Sequence, residues 1–338
     1  MIVDHLRSFP SLFEPFTGRG RMWASAAEGF FAVSGCLVGI LRGAEVRDGR
    51  AREAASKLLH RAARLYVWSV GLTLAFTVWG RLLSDPPVLT LGISRDPLPL
   101  LLAKAVCLRY TYGLADMLPL YAVFLASAPL ALVLLVTGRT WLVVAASLGV
   151  WIGGLLMPAP ICVTRSAFSD VSWQICFFLP LVAGYHADAI HRTWTGLSAR
   201  TRAASMVLLA LVSLGLGYLS WLDRFRRALW PGHAHVLRVL FDKVRVGPGR
   251  LFVAAVWLVF LYAVVKRFEP TVLRSVGRFF EPLGRNSLYV YIVQSALVFP
   301  LFNLYARSFW IATAEDVLVL GAVWVMVEKR VLFAWIPR

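Results

Sequence analysis

Apolar runs of about 20 residues recur along the whole chain, and short charged segments separate them. Runs of that length match the hydrocarbon thickness of a bilayer, and their continuity is typical of membrane-spanning helices. The composition agrees, since 59% of the 338 residues are hydrophobic and the mean hydropathy is +0.70. We therefore predict an all-α, polytopic transmembrane helical bundle with about nine spans, at 23–41, 65–83, 117–136, 141–157, 171–185, 203–221, 251–265, 287–302 and 311–327.

Residues 1–16 precede the first complete span and are too short and too interrupted to cross a bilayer alone. We interpret them as the second half of a first helix, so that this helix is expected to be N-terminally truncated. The chain shows no internal repeat, and residues 1–338 are predicted to form a single integral membrane domain. Two long connections, 84–116 and 222–250, contain apolar stretches that we interpret as amphipathic or re-entrant segments.

The formal net charge is +17, and most arginines lie between the predicted spans. Anionic lipid headgroups and the positive-inside bias explain this distribution, so nucleic acid is not an expected partner. With 42–64 placed inside, the inside segments hold 19 of the 35 Lys and Arg residues. The bias is weak because the basic segment 222–250 falls outside, but it favours an inside location for 42–64.

Two ionisable residues near the N-terminus are candidates for chemistry. Glu28 lies about one turn into the first complete span, where an ionised side chain costs a few kcal/mol and is usually paired or borders a water-filled cavity. The small residues around Glu28 also allow a tightly packed helix crossing that tolerates the glutamate. His5 is able to take a proton from a hydroxyl near neutral pH, although a helix end facing water explains it as well.

Polar residues also occur where two later spans begin. Asp116 suits a helix N-cap, and with the upstream Arg109 and two neighbouring tyrosines it forms a polar, aromatic edge typical of sugar binding. Tyr121 follows it one turn into the same span. Trp173 fits an interfacial aromatic belt, and Gln174 at that depth requires a hydrogen-bond partner.

The segment 42–64, RGAEVRDGRAREAASKLLHRAAR, is rich in Lys and Arg. A positive-inside loop is the simplest explanation. Because arginine makes bidentate contacts with phosphate, a second interpretation is that Arg42, Arg61 and Arg64 receive the phosphates of a nucleotide carrier such as CoA. The sequence lacks the glycine-rich phosphate loop, the zinc-protease motif, the nucleophile elbow and any Cys-rich pattern, and no metal is expected.

The stretches MIVDH, SAAEGFFAVSGCLVGILRG, YTYGLADMLPLYAVFLASAPLAL, WQICFFLPLVAGY, LFDKVRVGPGRL, PLGRNSLYVYIVQS and EKRVLFAWIPR follow one another along nearly the whole chain. In this order they resemble the OpgC family, membrane acyltransferases that decorate periplasmic glucans and are related to the acyltransferase-3 group. The combination of AAEGFFAVSG with DMLPLY is the most specific part of the resemblance.

The resemblance implies a multi-pass enzyme of the bacterial inner membrane that moves a succinyl or acetyl group from cytoplasmic acyl-CoA to a glycan hydroxyl outside. Acyl-CoA, the glycan acceptor and the lipid bilayer are then the expected partners. His5 corresponds to the general base and Glu28 to the acidic position of the second helix, and the pocket positions are Asp116, Tyr121, Trp173 and Gln174. A carboxylate near His5 is expected to raise the pKa of the imidazole, and Glu28→Gln is expected to abolish transfer while preserving folding.

Two other functions fit the same residues. A carrier or flippase for a glycan or an anionic substrate would use the same intramembrane glutamate and aromatic residues, although inverted repeats that favour it are not found. A non-catalytic membrane partner is favoured by the incomplete first helix. Substrate flux without consumption of acyl-CoA would indicate a carrier, whereas loss of acyl groups from glycans of a deletion strain would indicate the enzyme.

Overall fold

The protein is described by a computed structural model that covers residues 2–6, 8–17, 22–83, 92–157, 169–226, 234–303 and 307–336. Throughout these ranges the regular structure is helical and no strand occurs. The first half of the chain contains α1 (Ile2–His5), α2 (Glu14–Thr17), α3 (Ala26–Arg47), α4 (Ala51–Leu82), α5 (Leu98–Val106), α6 (Met117–Val136), α7 (Thr140–Leu156) and α8 (Asp170–Trp173).

The second half contains α9 (Ile175–Tyr185), α10 (Ala187–Gly196), α11 (Ala199–Arg226), α12 (Ala234–Leu240), α13 (Pro248–Arg267), α14 (Glu269–Val272), a π-helical segment (Leu273–Gly277), α15 (Arg278–Arg285), α16 (Ser287–Leu301) and α17 (Phe309–Glu328). The short helices α5 and α12 lie in the two long connections, where the sequence indicates apolar stretches. The all-helical prediction is confirmed for the described residues.

Six helices are long and apolar enough to cross a bilayer: α3, α4, α6, α11, α13 and α17. Three shorter apolar helices, Thr140–Leu156, Val171–Tyr185 and Ser287–Leu301, lie where the sequence predicts the other spans. The protein is thus a multi-pass membrane protein by the length and composition of its helices. The number of about nine spans stays a prediction from the sequence.

Helix α4 differs most from its predicted bounds, because it begins at Ala51 rather than at residue 65. Its first turns consist mainly of Ala, Arg, Lys, Glu and Leu, which are strong helix formers. Glu53 also pairs with Lys57 one turn later, at 2.5 Å between Oε1 and Nζ. The basic segment therefore continues the membrane helix on its predicted inside end and is not a separate loop.

Glycines bring the backbones of α3 and α9 into direct contact. A Cβ added to Gly39 would lie 2.1 Å from the carbonyl oxygen of Leu181, and one added to Gly184 would lie 2.1 Å from that of Cys36. Gly35 and Gly39 are four residues apart, so they lie on one face of α3. Close approach through small residues is a common way for membrane helices to associate. Because Glu28 also lies on α3, this contact fixes the position of its backbone relative to α9.

Replacing Gly39 with valine should weaken this contact, because the new side chain would meet backbone that has no room to move aside. Overpacking of this kind typically costs about 1–3 kcal/mol. We expect the purified variant to unfold at a lower temperature than the parent protein in the same detergent. Gly71→Val is the matched control, since nothing lies within 4 Å of a Cβ added to that exposed helical glycine. Equal unfolding temperatures for the two variants would contradict the close packing.

Apolar side chains remain exposed on the outward faces of several spans. Leu208 and Leu211 of α11, Tyr262 of α13 and Leu318 of α17 are each more than half exposed. Lipid chains are expected to cover such surfaces in a membrane protein.

Candidate functional site

A cluster of ionisable groups lies within the bundle, and Lys243 is at its centre. Lys243 belongs to the loop between α12 and α13 and lies within electrostatic range of five other groups. They come from separate elements: Asp4 and His5 of α1, Glu28 of α3, Asp116 at the start of α6, and Arg250 of α13. We call these six residues the ionisable cluster.

Three members of the ionisable cluster, His5, Asp116 and Lys243, have pKa values shifted mainly by burial. Protein atoms surround each of them, so that desolvation is the main cause of their pKa shifts. By surface area, His5 and Asp116 are half-buried residues and Lys243 is an exposed one. That an imidazole and an acid share a hydrated cavity stays a prediction from the sequence.

His5 is suited to accept a proton. Its Nδ1 is buried and has no hydrogen-bond partner among the residues that the structure describes. Burial, together with the positive charge of Lys243, lowers the pKa of His5 to about 3. The ring is therefore neutral at physiological pH. The sequence-based expectation was that a neighbouring carboxylate raises this pKa, but burial and nearby positive charges lower it.

Glu28 is engaged by partners other than His5. Its Oε1 accepts a hydrogen bond from Nε of Arg250, and both side chains are almost fully buried, at 1% and 3% exposed. The other carboxylate oxygen accepts from the backbone N–H of Ser25 at 2.9 Å and from its hydroxyl at 2.7 Å. Arg250 also donates to Ser25 Oγ at 3.1 Å. This buried ion pair explains why a carboxylate is stable inside the span.

Hydrogen bonds to its backbone hold the loop that carries Lys243 in place. Trp173 donates its indole N–H to the carbonyl oxygen of Lys243 at 3.0 Å, and Trp151 donates to that of Val246 at 2.9 Å. Asp242 closes the turn, since its Oδ1 accepts from the backbone N–H of Val244 at 2.7 Å. The fully buried Trp173, predicted from the sequence as a pocket residue, thus positions a charged loop residue.

Asp116 begins α6, as its sequence position predicts, but its side chain does not form the expected cap hydrogen bond. Burial raises the pKa of Asp116 to about 6. Two residues earlier, the carbonyl oxygen of Leu114 accepts hydrogen bonds from Tyr291 Oη at 2.6 Å and Ser295 Oγ at 3.1 Å. These bonds from α16 fix the start of α6 and leave the Asp116 carboxyl in the ionisable cluster.

Tyr121 lies five residues after Asp116, about 7.5 Å along the helix axis. Its hydroxyl hydrogen-bonds with Ser34 Oγ, and its ring packs against Phe30 with centroids 5.3 Å apart. The guanidinium carbon of Arg61 lies 5.6 Å from the centre of the Tyr121 ring. Tyr121 therefore connects the start of α6 to the basic segment of α4.

A basic cavity of about 290 Å³ opens beside Arg61. It is lined by Ser56, Lys57, His60, Arg61, Arg64 and Leu288. Within the described part of the chain, Arg61 and Arg64 have no acidic partner. Arg42 lies next to this basic cavity but is paired, with Nη1 2.6 Å from Glu45 Oε1, and Lys57 binds the same oxygen at 2.9 Å. The cavity can accommodate an anionic ligand through the two unpaired arginines.

The structure does not bring every predicted site residue to the cluster. Both polar atoms of the Gln174 side-chain amide bind Ser147, since Oε1 accepts from Ser147 Oγ at 2.7 Å and Nε2 donates to its carbonyl oxygen at 2.8 Å. This pair links α9 to α7 and satisfies the partner requirement seen in the sequence. Arg109 is exposed, and its neighbour Tyr112 is buried in the core.

A comparison with protein-family models matches residues 1–335 to the family described as OpgC protein. The chain belongs to the OpgC family. No curated protein and no solved structure matches this OpgC-family chain. Family membership and the apolar helices are consistent with a membrane protein that modifies glucans, and the family suggests a transferase.

Three residues of the cluster in this OpgC-family protein were not among the site residues predicted from the sequence: Asp4 and the two basic residues Lys243 and Arg250. Both basic residues occur in LFDKVRVGPGRL, a stretch that carries the family resemblance. They also belong to the segment 222–250, whose positive charges weaken the predicted inside bias. The unexpected basic charge of 222–250 on the predicted outer side was therefore a signal that some of these charges pair within the protein, as Arg250 does with Glu28.

Proposed function

We propose that this protein is a membrane O-acyltransferase that moves an acyl group, succinyl or acetyl, from cytoplasmic acyl-CoA to a hydroxyl of an extracytoplasmic glycan. One observation carries the proposal: Tyr121 lies on the same helix as Asp116 of the ionisable cluster and against Arg61 of the basic cavity. Arg61 lines the cavity and lies over the Tyr121 ring, and Tyr121 follows Asp116 on α6. A donor bound at the basic cavity and an acceptor bound at the ionisable cluster would meet within the helical bundle. The proposed location of the protein is the bacterial inner membrane.

His5 is the proposed general base of this reaction. Its neutral imidazole accepts the proton of the sugar hydroxyl as the oxygen attacks the thioester carbonyl carbon. The resulting tetrahedral intermediate collapses, the carbon–sulfur bond breaks, and the CoA thiolate takes the proton back from the imidazolium. No free charge accumulates over the whole transfer, which suits a site inside a membrane protein.

The donor is proposed to bind with its phosphates on Arg61 and Arg64. These arginines have no acidic partner in the described residues, so their guanidinium groups are available for bidentate contacts with phosphate. Arg42 supports the same surface indirectly, because Glu45 links it to Lys57 on the cavity wall. Asp116 and Tyr121 are proposed to contact the acceptor or the acyl group. Trp173, Gln174 and Arg109 are then supporting residues.

The test uses membranes from cells that express the protein and from a matched strain without it. Labelled succinyl-CoA or acetyl-CoA is added together with purified glucan, and the label on the glycan and the released CoA thiol are measured. We expect both products to increase together, in equal amounts, when the protein is present. Movement of glycan across vesicles without release of CoA would favour a carrier and would overturn the proposal.

Arg61→Ala and Arg64→Ala should each raise the KM for acyl-CoA by about tenfold, because each removes one charge-assisted contact with the donor. The kcat should change less than KM, since the basic cavity is remote from the reacting bond. Arg50→Ala is the matched control, because Arg50 is exposed and already paired with Asp48 at 3.4 Å. A KM that stays at the parent value in both cavity variants would place the donor elsewhere.

A further inference from the structure

The basic cavity contains a histidine in addition to its two arginines. His60 lies on α4 one turn after Ser56 and one turn before Arg64, and all three residues line the cavity. His60 is exposed, so its ring exchanges protons with bulk solvent. Histidine is the side chain that ordinarily changes its charge between about pH 5 and 8. The cavity therefore holds a group that can add a positive charge to those of the arginines.

One nitrogen of the His60 ring is already engaged. Nδ1 lies 2.8 Å from the carbonyl oxygen of Ser56 and 3.3 Å from the hydroxyl oxygen of the same residue. A carbonyl oxygen only accepts hydrogen bonds, so Nδ1 carries the hydrogen. Nε2 makes no contact among the residues that the structure describes. In the neutral ring Nε2 is then an acceptor without a hydrogen, and it becomes a donor only when His60 takes up a proton.

Several charged groups around this ring neutralise one another. Lys57 is paired with Glu45 at 2.9 Å and with Glu53 at 2.5 Å. Arg42 approaches from α3 and is paired with the same Glu45 oxygen at 2.6 Å. The wall residue contributed by α16, Leu288, carries no charge. These groups therefore leave the binding of an anion to the arginines and to the histidine.

The two arginines keep hydrogen-bond donors for a ligand. The guanidinium carbon of Arg61 lies 5.6 Å from the centre of the Tyr121 ring. A cation–π contact of this kind uses the charge and leaves guanidinium N–H groups for other partners. Arg64 has no partner within the described parts of the chain. Arg61, Arg64 and a protonated His60 thus offer donors from three side chains to one anion.

A phosphate monoester matches these three side chains. Such a group carries about −1.5 to −2 charges at pH 7 and has three acceptor oxygens, and arginine binds it through bidentate contacts. The cavity volume of about 290 Å³ is at the lower limit for a small-molecule site, so it suits a phosphate with its neighbouring atoms rather than a whole nucleotide carrier. Acyl-CoA carries one phosphate monoester beside its diphosphate.

We propose that His60 is a further donor-binding residue, which takes up a proton from solvent and hydrogen-bonds through Nε2 to the phosphate monoester of acyl-CoA. The inference rests on the proposed function, because it takes acyl-CoA as the donor. Binding consumes one proton at His60 and changes no covalent bond of the donor. The contribution of His60 is present at pH 6 and is lost as the pH rises to 8, because the neutral ring has no hydrogen on Nε2.

The experiment measures the Kd for CoA by titration calorimetry, with purified protein in detergent at pH 6 and pH 8. CoA carries the phosphates but no acyl group, so that no transfer takes place. The phosphate monoester itself gains a proton near pH 6, and for this reason each variant is compared with the parent at the same pH. We expect His60→Gln to raise the Kd about tenfold at pH 6, the usual contribution of a charge-assisted hydrogen bond, and less than twofold at pH 8.

Two further variants and a second ligand sharpen the test. His60→Lys keeps a positive charge at both pH values, so its Kd should change with pH only as much as that of His60→Gln. His191→Gln replaces an exposed histidine of α10 and should bind CoA like the parent at both pH values. Dephospho-CoA lacks the monoester, and its Kd should differ less than twofold between His60→Gln and the parent. Lysine and glutamine are good helix formers, and the unfolding temperatures should equal that of the parent.

The possible outcomes separate this inference from the proposed function. If His60→Gln changes the Kd for CoA by the same factor at pH 6 and pH 8, the role of His60 is overturned and acyl transfer can stand without it. An equal effect on dephospho-CoA would overturn the assignment to the monoester. If phosphatidylglycerol in the micelles, rather than CoA, shows the pH-dependent effect of His60, the cavity holds a lipid headgroup and the inference is overturned. If CoA binds as expected but membranes show no transfer, the proposed function fails and this binding site stands.

Discussion

Replacement of His5 with glutamine should lower the rate of acyl transfer by about 10²-fold to 10⁴-fold, the usual contribution of a general base. Glutamine keeps a polar side chain of similar size but cannot accept the proton of a sugar hydroxyl. Because Nδ1 of His5 makes no hydrogen bond within the described residues, the substitution breaks no such contact there, and the folded state should be retained. The measurement is kcat for transfer from labelled acyl-CoA, alongside the unfolding temperature.

His191→Gln is the matched control for this variant, because His191 is exposed on α10, remote from the ionisable cluster. It should transfer at the parent rate. Protonation of His5 should not change the parent rate between pH 6 and 8, since burial lowers the pKa of His5 to about 3, whereas an unperturbed histidine protonates near pH 6.5. A change of rate near pH 6 would instead report Asp116, whose pKa burial raises to about 6. Transfer by His5→Gln at more than one third of the parent rate would remove His5 from the mechanism.

Replacement of Glu28 with glutamine should destabilise the fold as well as lower activity. The change leaves Arg250 buried without a counter-ion, and breaking a buried ion pair in this way typically costs about 3–5 kcal/mol. This corrects the expectation drawn from the sequence that folding would be preserved. The measurement is the unfolding temperature of purified protein in detergent, together with the amount that inserts into membranes.

A double variant separates the ion pair from any catalytic role. Glu28→Gln combined with Arg250→Met removes the unpaired charge, so it should recover part of the unfolding temperature lost by Glu28→Gln alone. Glu269→Gln is the control, because it breaks an exposed pair that contributes little. An unfolding temperature unchanged in Glu28→Gln, with transfer abolished, would instead support the catalytic role assigned to Glu28 from the sequence.

The membrane helices were predictable from the sequence because their signal is local. Within a bilayer each backbone N–H and C=O group must be satisfied inside its own segment, and so a run of apolar residues is sufficient to indicate a helix. The predicted bounds 117–136 coincide with those of α6. The early start of α4 was missed because charged residues suggested a loop, although Ala, Glu, Lys and Arg are also good helix formers.

Contacts between distant residues were not predictable in the same way. Glu28 and Arg250 are 222 positions apart, and nothing in the local pattern of either one identifies the other. The same holds for Gln174, whose polarity indicated a need for a partner but not that the partner is Ser147. His5 was indicated by resemblance to a family, whereas Lys243 was read as one more loop charge.

The length of α4 has a consequence for how a donor could approach. Its 32 residues extend about 48 Å, whereas the hydrocarbon core of a bilayer is about 30 Å thick. The surplus holds the arginine-lined end of the helix towards the predicted aqueous side. The phosphates of a nucleotide bound there would remain hydrated, and only its thioester end would enter the bundle. The large desolvation cost of moving phosphates into the hydrocarbon core would therefore be avoided.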